Sequence, residues 1–172
     1  MKGERDMKKL LTVIVMACML LSLLPKEASA AAYDKATTFK KVKVYQKAGT
    51  SYKVLYTIPK GQAVKVIGGE AYGWDQENLS SAEQFGFYKV TYKNKKGYIK
   101  QGNLKFKNPY NWAPGIKKEA IKYAKDYADG NSYYFKKSHV WNKDGYYEVY
   151  GKMSGTWYRI GSFNCKTGWA HG

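Results

Sequence analysis

The chain has 172 residues, 30 of them Lys or Arg against 13 Asp or Glu, giving a net charge of +17, and 16% of its residues are aromatic. Two cysteines and two histidines, none at metal-ligand spacing, argue against zinc, and the absence of a P-loop or a dinucleotide fingerprint argues against nucleotide chemistry. Past residue 30 the basic residues are all lysine except Arg159. Lysine is a hydrated point charge suited to diffuse attraction, whereas base reading favours the arginine fork, so the charge points to a polyanionic surface and away from specific nucleic-acid recognition.

Lys8 and Lys9 precede an apolar run from Leu10 to Leu24, and Ala28-Ser29-Ala30 follows. A positive n-region, an apolar h-region and an A-x-A site are the signature of a signal peptide. The 15-residue run also falls short of the roughly 20 that span a bilayer. Residues 1–30 are therefore expected to be removed, leaving a secreted, extracellular or wall-associated chain from Ala31 with no stable membrane span. Val15-Met16-Ala17-Cys18 also resembles a lipobox, which makes lipid attachment at Cys18 the alternative to cleavage after Ala30. Processing removes five basic and three acidic residues, leaving 25 and 10 and a net charge of +15 over 142 residues. Only Cys165 remains, so no internal disulfide is available and stability must come from apolar burial.

Residues 31–38 read as a linker. From Phe39 onward short strand signals recur: Val42 to Tyr45, Val54 to Ile58, Ala63 to Gly68, Phe87 to Tyr92 and Gly97 to Lys100. Between them stand Ala48-Gly49-Thr50-Ser51, Pro59-Lys60-Gly61 and Gly68-Gly69, and short strands so punctuated predict a small β-barrel. In Phe87 to Leu104 the period-two alternation predicts a hairpin turning at Asn94-Lys95-Lys96-Gly97, where Asn94 and Gly97 tolerate positive φ.

Lys53-Val54-Leu55, Pro59-Lys60-Gly61, Val64-Lys65-Val66, Phe87-Tyr88-Lys89-Val90 and Lys96-Gly97-Tyr98-Ile99 together resemble the strand, turn and hairpin motifs of bacterial SH3 domains, over roughly residues 40 to 105. The resemblance implies an SH3-like barrel over residues 39–106. It also implies a groove between the first loop, Tyr45 to Tyr52, and the hairpin from Phe87 to Tyr98. Domains of this family that bind commonly take a peptidoglycan peptide. Candidate ligand contacts are then Tyr45, Tyr52, Trp74, Tyr88 and Tyr98, with Lys93, Lys95 and Lys96 supplying salt-sensitive attraction to anionic wall polymers.

Two departures stand out. Lys43 to Ala48 lacks the arginine, glycine and proline of the family's first loop, and Asp75 to Gly86 is an insertion. With Glu70, that insertion gathers four of the ten carboxylates that follow residue 30, read either as a solvated loop or as a cation-binding or partner-selecting rim.

Residues 107–114, with two prolines, read as a second linker. Pro114 and Gly115 then introduce a helix of about 13 residues whose stripe is Ile116, Ala120, Ala124 and Tyr127, ended at Asp129-Gly130-Asn131. Strand signals follow at Ser132 to Trp141, Tyr146 to Gly151 and Thr156 to Cys165. The expected fold is thus mainly β: an SH3-like barrel followed by a small α+β domain over residues 115–172, a helix with an antiparallel three-strand meander. Residues 116–169 loosely resemble a PepSY-like domain, which implies restraint of an extracellular peptidase as an alternative role.

No nucleophile stands beside a base with room for a pocket. Cys165 is followed by only seven residues, among them His171, and reads as a small residue at a strand end. Asp144 with Glu148, and Asp126 with Asp129, read as solvated pairs and not as a glycosidase's acid and base. The expectation is a non-enzymatic protein without metal or cofactor.

Overall fold

The computed structural model describes residues 31–71, 81–130, 132–139 and 145–172, with no account of the Ser81 and Ala82 side chains. The signal-peptide and lipobox readings, Trp74, Asp144 and the first half of the insertion lie outside the described residues. No described helix is long and apolar enough to cross a membrane.

Seven strands make the first sheet: β1 (Asp34–Thr38), β2 (Val42–Tyr45), β3 (Val54–Ile58), β4 (Ala63–Glu70), β5 (Phe87–Tyr92), β6 (Lys95–Lys100) and β7 (Leu104–Phe106). Their order is β3-β2-β6-β5-β4-β1-β7, every neighbour antiparallel. Alternation sends Val44, Ile58, Val66, Tyr88, Val90, Ile99 and Leu104 to one side, where they form a single core and each is 0% exposed. The strands wrap this core in SH3-like fashion. Among the described residues no ladder joins β3 to β7, so the sheet stays open and does not close into a complete barrel.

Two expectations change here. The segment read as a linker contains β1, whose inward residues are Asp34, Ala36 and Thr38. It lacks large apolar side chains because its place is fixed from outside, by ladders to β4 on one edge and β7 on the other. The hairpin also turns two residues earlier than expected, which keeps the facing of both strands. Lys93 and Asn94 take φ of 46° and 62° between Tyr92 and Lys95, a two-residue connection with both central residues left-handed. Gly97 lies inside β6, where a side chain would collide with Val44.

A short helix, α1 (Ser81–Gln84), precedes β5. The main helix, α2 (Ile116–Tyr127), starts after Gly115, which has φ 84°. It lies on a second antiparallel sheet made of β8 (Tyr133–Lys137), β9 (Tyr146–Met153), β10 (Thr156–Asn164) and β11 (Ala170–His171), ordered β11-β10-β9-β8. The expected three-strand meander gains a fourth strand because the chain after Asn164 folds back onto Ser162 and Phe163. Ile116, Ala120 and Ala124 pack on Val149 and Phe163 as the stripe predicts. Tyr127 does not: it is 57% exposed, and Tyr123 takes the contact, its ring against Phe163 and its hydroxyl donating to the Ile160 carbonyl at 2.9 Å. The helix can approach β9 closely because Gly151 has no side chain to meet Ala128.

Residues 31–172 form one compact unit, and the second sheet joins the first through a buried turn. Lys166 Nζ lies 2.9 Å from Asp34 Oδ2, both side chains 0% exposed, and donates further to the carbonyls of Asn108 at 2.9 Å and Asn111 at 2.7 Å. The ammonium also sits over the rings of Phe106 and Tyr33, at 4.5 and 5.1 Å. On the other side, Asp34 Oδ1 accepts from the Lys35 amide and from Asn108. Each charge thus has several partners, the condition under which a buried ion pair is tolerated. Asn164 Oδ1 holds the turn by accepting from the amides of Lys166 and Thr167. Thr167 Oγ1 donates to the Phe85 carbonyl at 2.9 Å, and the Lys166 carbonyl comes so near Gly69 that no Cβ would fit. Residues 107–114, read as a linker, line this contact instead of hanging free of it.

Candidate functional site

The expected groove between the first loop and the hairpin is largely filled by the chain itself. Tyr45 is 9% exposed and meets Phe87 edge to face at 6.1 Å, in a small cluster with Ala48 and Tyr98 on the side of the sheet away from the main core. Tyr88 is in the main core, edge to face with Phe106 at 5.0 Å, its hydroxyl accepting from the Gly102 amide. Neither ring face can take a ligand. The alternation that places Tyr88 inward follows from its register opposite Ile99, with one bulge in β4 between Val66 and Gly68 adjusting the facing strand.

The insertion supplies the cover. Glu83 is buried and accepts from the Thr50 amide at 2.8 Å and the Thr50 hydroxyl at 2.6 Å, tying α1 to the first loop. Glu70 accepts the Tyr98 hydroxyl at 3.0 Å. Both described acids of the expected rim therefore act as hydrogen-bond acceptors for the protein, and no group of three or more metal-type ligands occurs among the described residues.

Of the expected contacts, Tyr52 and Tyr98 reach the surface. Tyr52 is exposed beside Val54 and Leu55, themselves 40% and 42% exposed, with Lys47 Nζ 5.5 Å from its ring. Tyr98 is half-buried under Lys89. The three lysines of the hairpin are exposed. Lys93 lies over Tyr92, and Lys95 lies over Tyr56, whose hydroxyl donates to the Lys95 carbonyl. Burial pushes the Tyr56 phenol upward, with Tyr92 adding to the effect, so it stays a neutral donor.

A larger cationic surface lies around the hairpin's flank, on β4, β1 and β7. Lys35 stands directly opposite Lys65, Thr37 opposite Lys105, and Lys65 opposite Thr91. A hollow of about 510 Å³ between Lys35, Lys105 and Lys107 adjoins one of about 280 Å³ between Lys35, Lys65 and Lys93, and no carboxylate lines either. Like charges facing across a ladder weaken a sheet, so the fold gains nothing from this arrangement. The alternation in Val64-Lys65-Val66 and Leu104-Lys105-Phe106 carried the signal for two of these lysines. Lys35 was hidden by the linker reading.

Cys165 is fully buried, its Sγ near the carbonyls of Pro109 at 3.3 Å and Asn111 at 3.4 Å. His171 stacks on Trp169 with ring centres 5.6 Å apart.

No curated protein and no solved structure matches the chain. A family model described as the bacterial SH3 domain does match, over residues 40–105, the stretch that runs from just before β2 to within β7. The strand, turn and hairpin motifs, the open antiparallel wrap and this match agree on the same residues, and the chain therefore carries a bacterial SH3 domain, a type commonly associated with binding cell-wall material.

Proposed function

We propose that this is a secreted, non-catalytic protein that binds cell-wall material. In this reading the lysine surface of β4, β1 and β7 attracts anionic wall polymers, and the exposed strip of Tyr52 and Leu55, with the half-buried Tyr98, contacts a peptidoglycan peptide. The observation that carries the reading is the facing of Lys35 and Lys65 in an SH3 sheet, with Lys93, Lys105 and Lys107 around them and no acid in the hollows they line. Such a surface raises the local concentration of a polyanion and loses its pull as salt rises.

The test is co-sedimentation of residues 31–172 with cell-wall sacculi, before and after removal of wall polyanions, at low and high salt. Lys35→Glu/Lys65→Glu should abolish the salt-sensitive fraction, and Tyr52→Ala/Leu55→Ala the fraction that survives salt and extraction. Binding unchanged in both variants would overturn the reading. No binding under any condition would turn the search to a protein partner such as an extracellular peptidase.

A further inference from the structure

Beside the SH3 domain, a pocket of about 260 Å³ opens on the face of the second sheet that α2 does not cover, lined by Phe85, Tyr146, Arg159, Ser162, Trp169 and His171. Its walls are rings: Trp169 lies against Phe85 at 4.7 Å, Tyr146 at 6.1 Å and His171 at 5.6 Å. Phe85 comes from the insertion, Trp169 from the turn between β10 and β11, and the others from the strands of the second sheet. The hydrogen bond from Thr167 to the Phe85 carbonyl and the Lys166 to Asp34 pair hold the two sides together.

The polar end is Arg159, the one arginine past residue 30. Its exposed guanidinium donates from Nη2 to Ser162 Oγ at 2.8 Å, and among the described residues no carboxylate lies within ion-pair distance of it. Glu148, opposite Ser162 on β9, is the nearest acid in the ladder, and its Oε2 accepts the Tyr150 hydroxyl at 3.1 Å. A planar fork with donors to spare at the rim of an aromatic hollow suits a carboxylate attached to a small apolar body. The hollow is below the volume of a drug-sized site, about 300 Å³ or more, and suits one or two small residues.

We propose that this pocket binds the free carboxyl terminus of a short peptide ending in small apolar residues, with Arg159 gripping the carboxylate and Trp169, Phe85 and Tyr146 enclosing the last side chain. The site lies apart from the lysine surface and the Tyr52 strip, so it stands or falls independently of the wall-binding reading.

The probes are N-acetyl-Ala-Ala with a free carboxylate and the same peptide as its C-terminal amide, titrated into residues 31–172 while the tryptophan indole NH signals are followed by NMR. Trp169→Phe assigns the reporting signal. The acid should move the Trp169 signal in a saturable way, and the amide should bind at least about tenfold more weakly, the loss expected when a charge-assisted pair is removed. Arg159→Gln should weaken the acid by a similar factor, with the rest of the spectrum unchanged because the side chain is exposed. Equal binding of acid and amide, an unaffected Arg159→Gln variant, or no movement of the Trp169 signal up to about 10 mM peptide would each overturn the proposal.

Discussion

Around the first sheet the core is mostly aliphatic and comes from every strand, from Ala36 on β1 to Leu104 on β7, with Tyr88 and Phe106 as its buried rings. Over the second sheet, α2 contributes Ile116, Ala120 and Ala124 with the ring of Tyr123, and the remaining space is taken by further rings: Trp112 stacks on Tyr147 at 4.7 Å and meets Phe135 at 5.6 Å. The polar contents differ more. Around the first sheet the buried Thr38 and Glu83 bond within their own region and only Asp34 looks outward, whereas the second sheet ends in a buried run of Asn164, Lys166 and Thr167 in which Lys166 and Thr167 find partners in Asp34, Phe85 and the 107–114 segment. Asp34 apart, the first region satisfies its core from its own residues. The other completes its polar bonding only when docked.

Breaking that docking should have the largest effect. Lys166→Ala leaves Asp34 buried without its cation, and chemical denaturation is expected to show a loss of about 3–5 kcal/mol, with the second sheet unfolding ahead of the first. Next comes the self-sufficient core. Val90→Ala or Ile99→Ala should each destabilise by about 2–4 kcal/mol in the same assay, and the two regions should then melt together. Glu83→Ala removes the acceptor for Thr50 and should cost about 1–3 kcal/mol, accompanied by faster hydrogen exchange at the Thr50 amide. The smallest effect sharpens the comparison from the other side. The Tyr33 hydroxyl is buried with no hydrogen-bond partner among the described residues, and burial drives its phenol far above the usual range, so it stays neutral. Tyr33→Phe should therefore be neutral or stabilising by up to about 1 kcal/mol, whereas a loss in thermal denaturation would show that the hydroxyl has a partner after all.

The same contrast explains what the amino-acid sequence revealed. The strands from β2 to β6 and the helix α2 were legible because each carries its own periodicity, with Val64 and Val66 around Lys65 or Ile116, Ala120 and Ala124 in register. Strand β1 was not, because Asp34-Lys35-Ala36-Thr37-Thr38 is extended by its neighbours and not by its own apolar content. Tyr45 and Tyr88 look like surface aromatics in a motif, and only the cover from α1 and the packing of Phe106 show them inside. A lysine in Lys166-Thr167-Gly168 reads as a solvated turn. Its burial depends on an aspartate 132 positions away and leaves no local trace.

That separation has a kinetic meaning. Closing so long a loop orders much of the chain before any contact rewards it, so the Asp34 to Lys166 pair belongs to the last steps of folding, after each sheet has formed its own local hairpins. An interaction absent from the transition state acts on the way out and not on the way in: Lys166→Ala should speed unfolding while leaving the refolding rate nearly unchanged in stopped-flow experiments. With no disulfide among the described residues, the ion pair serves as a latch, setting how long the folded molecule lasts once it has formed.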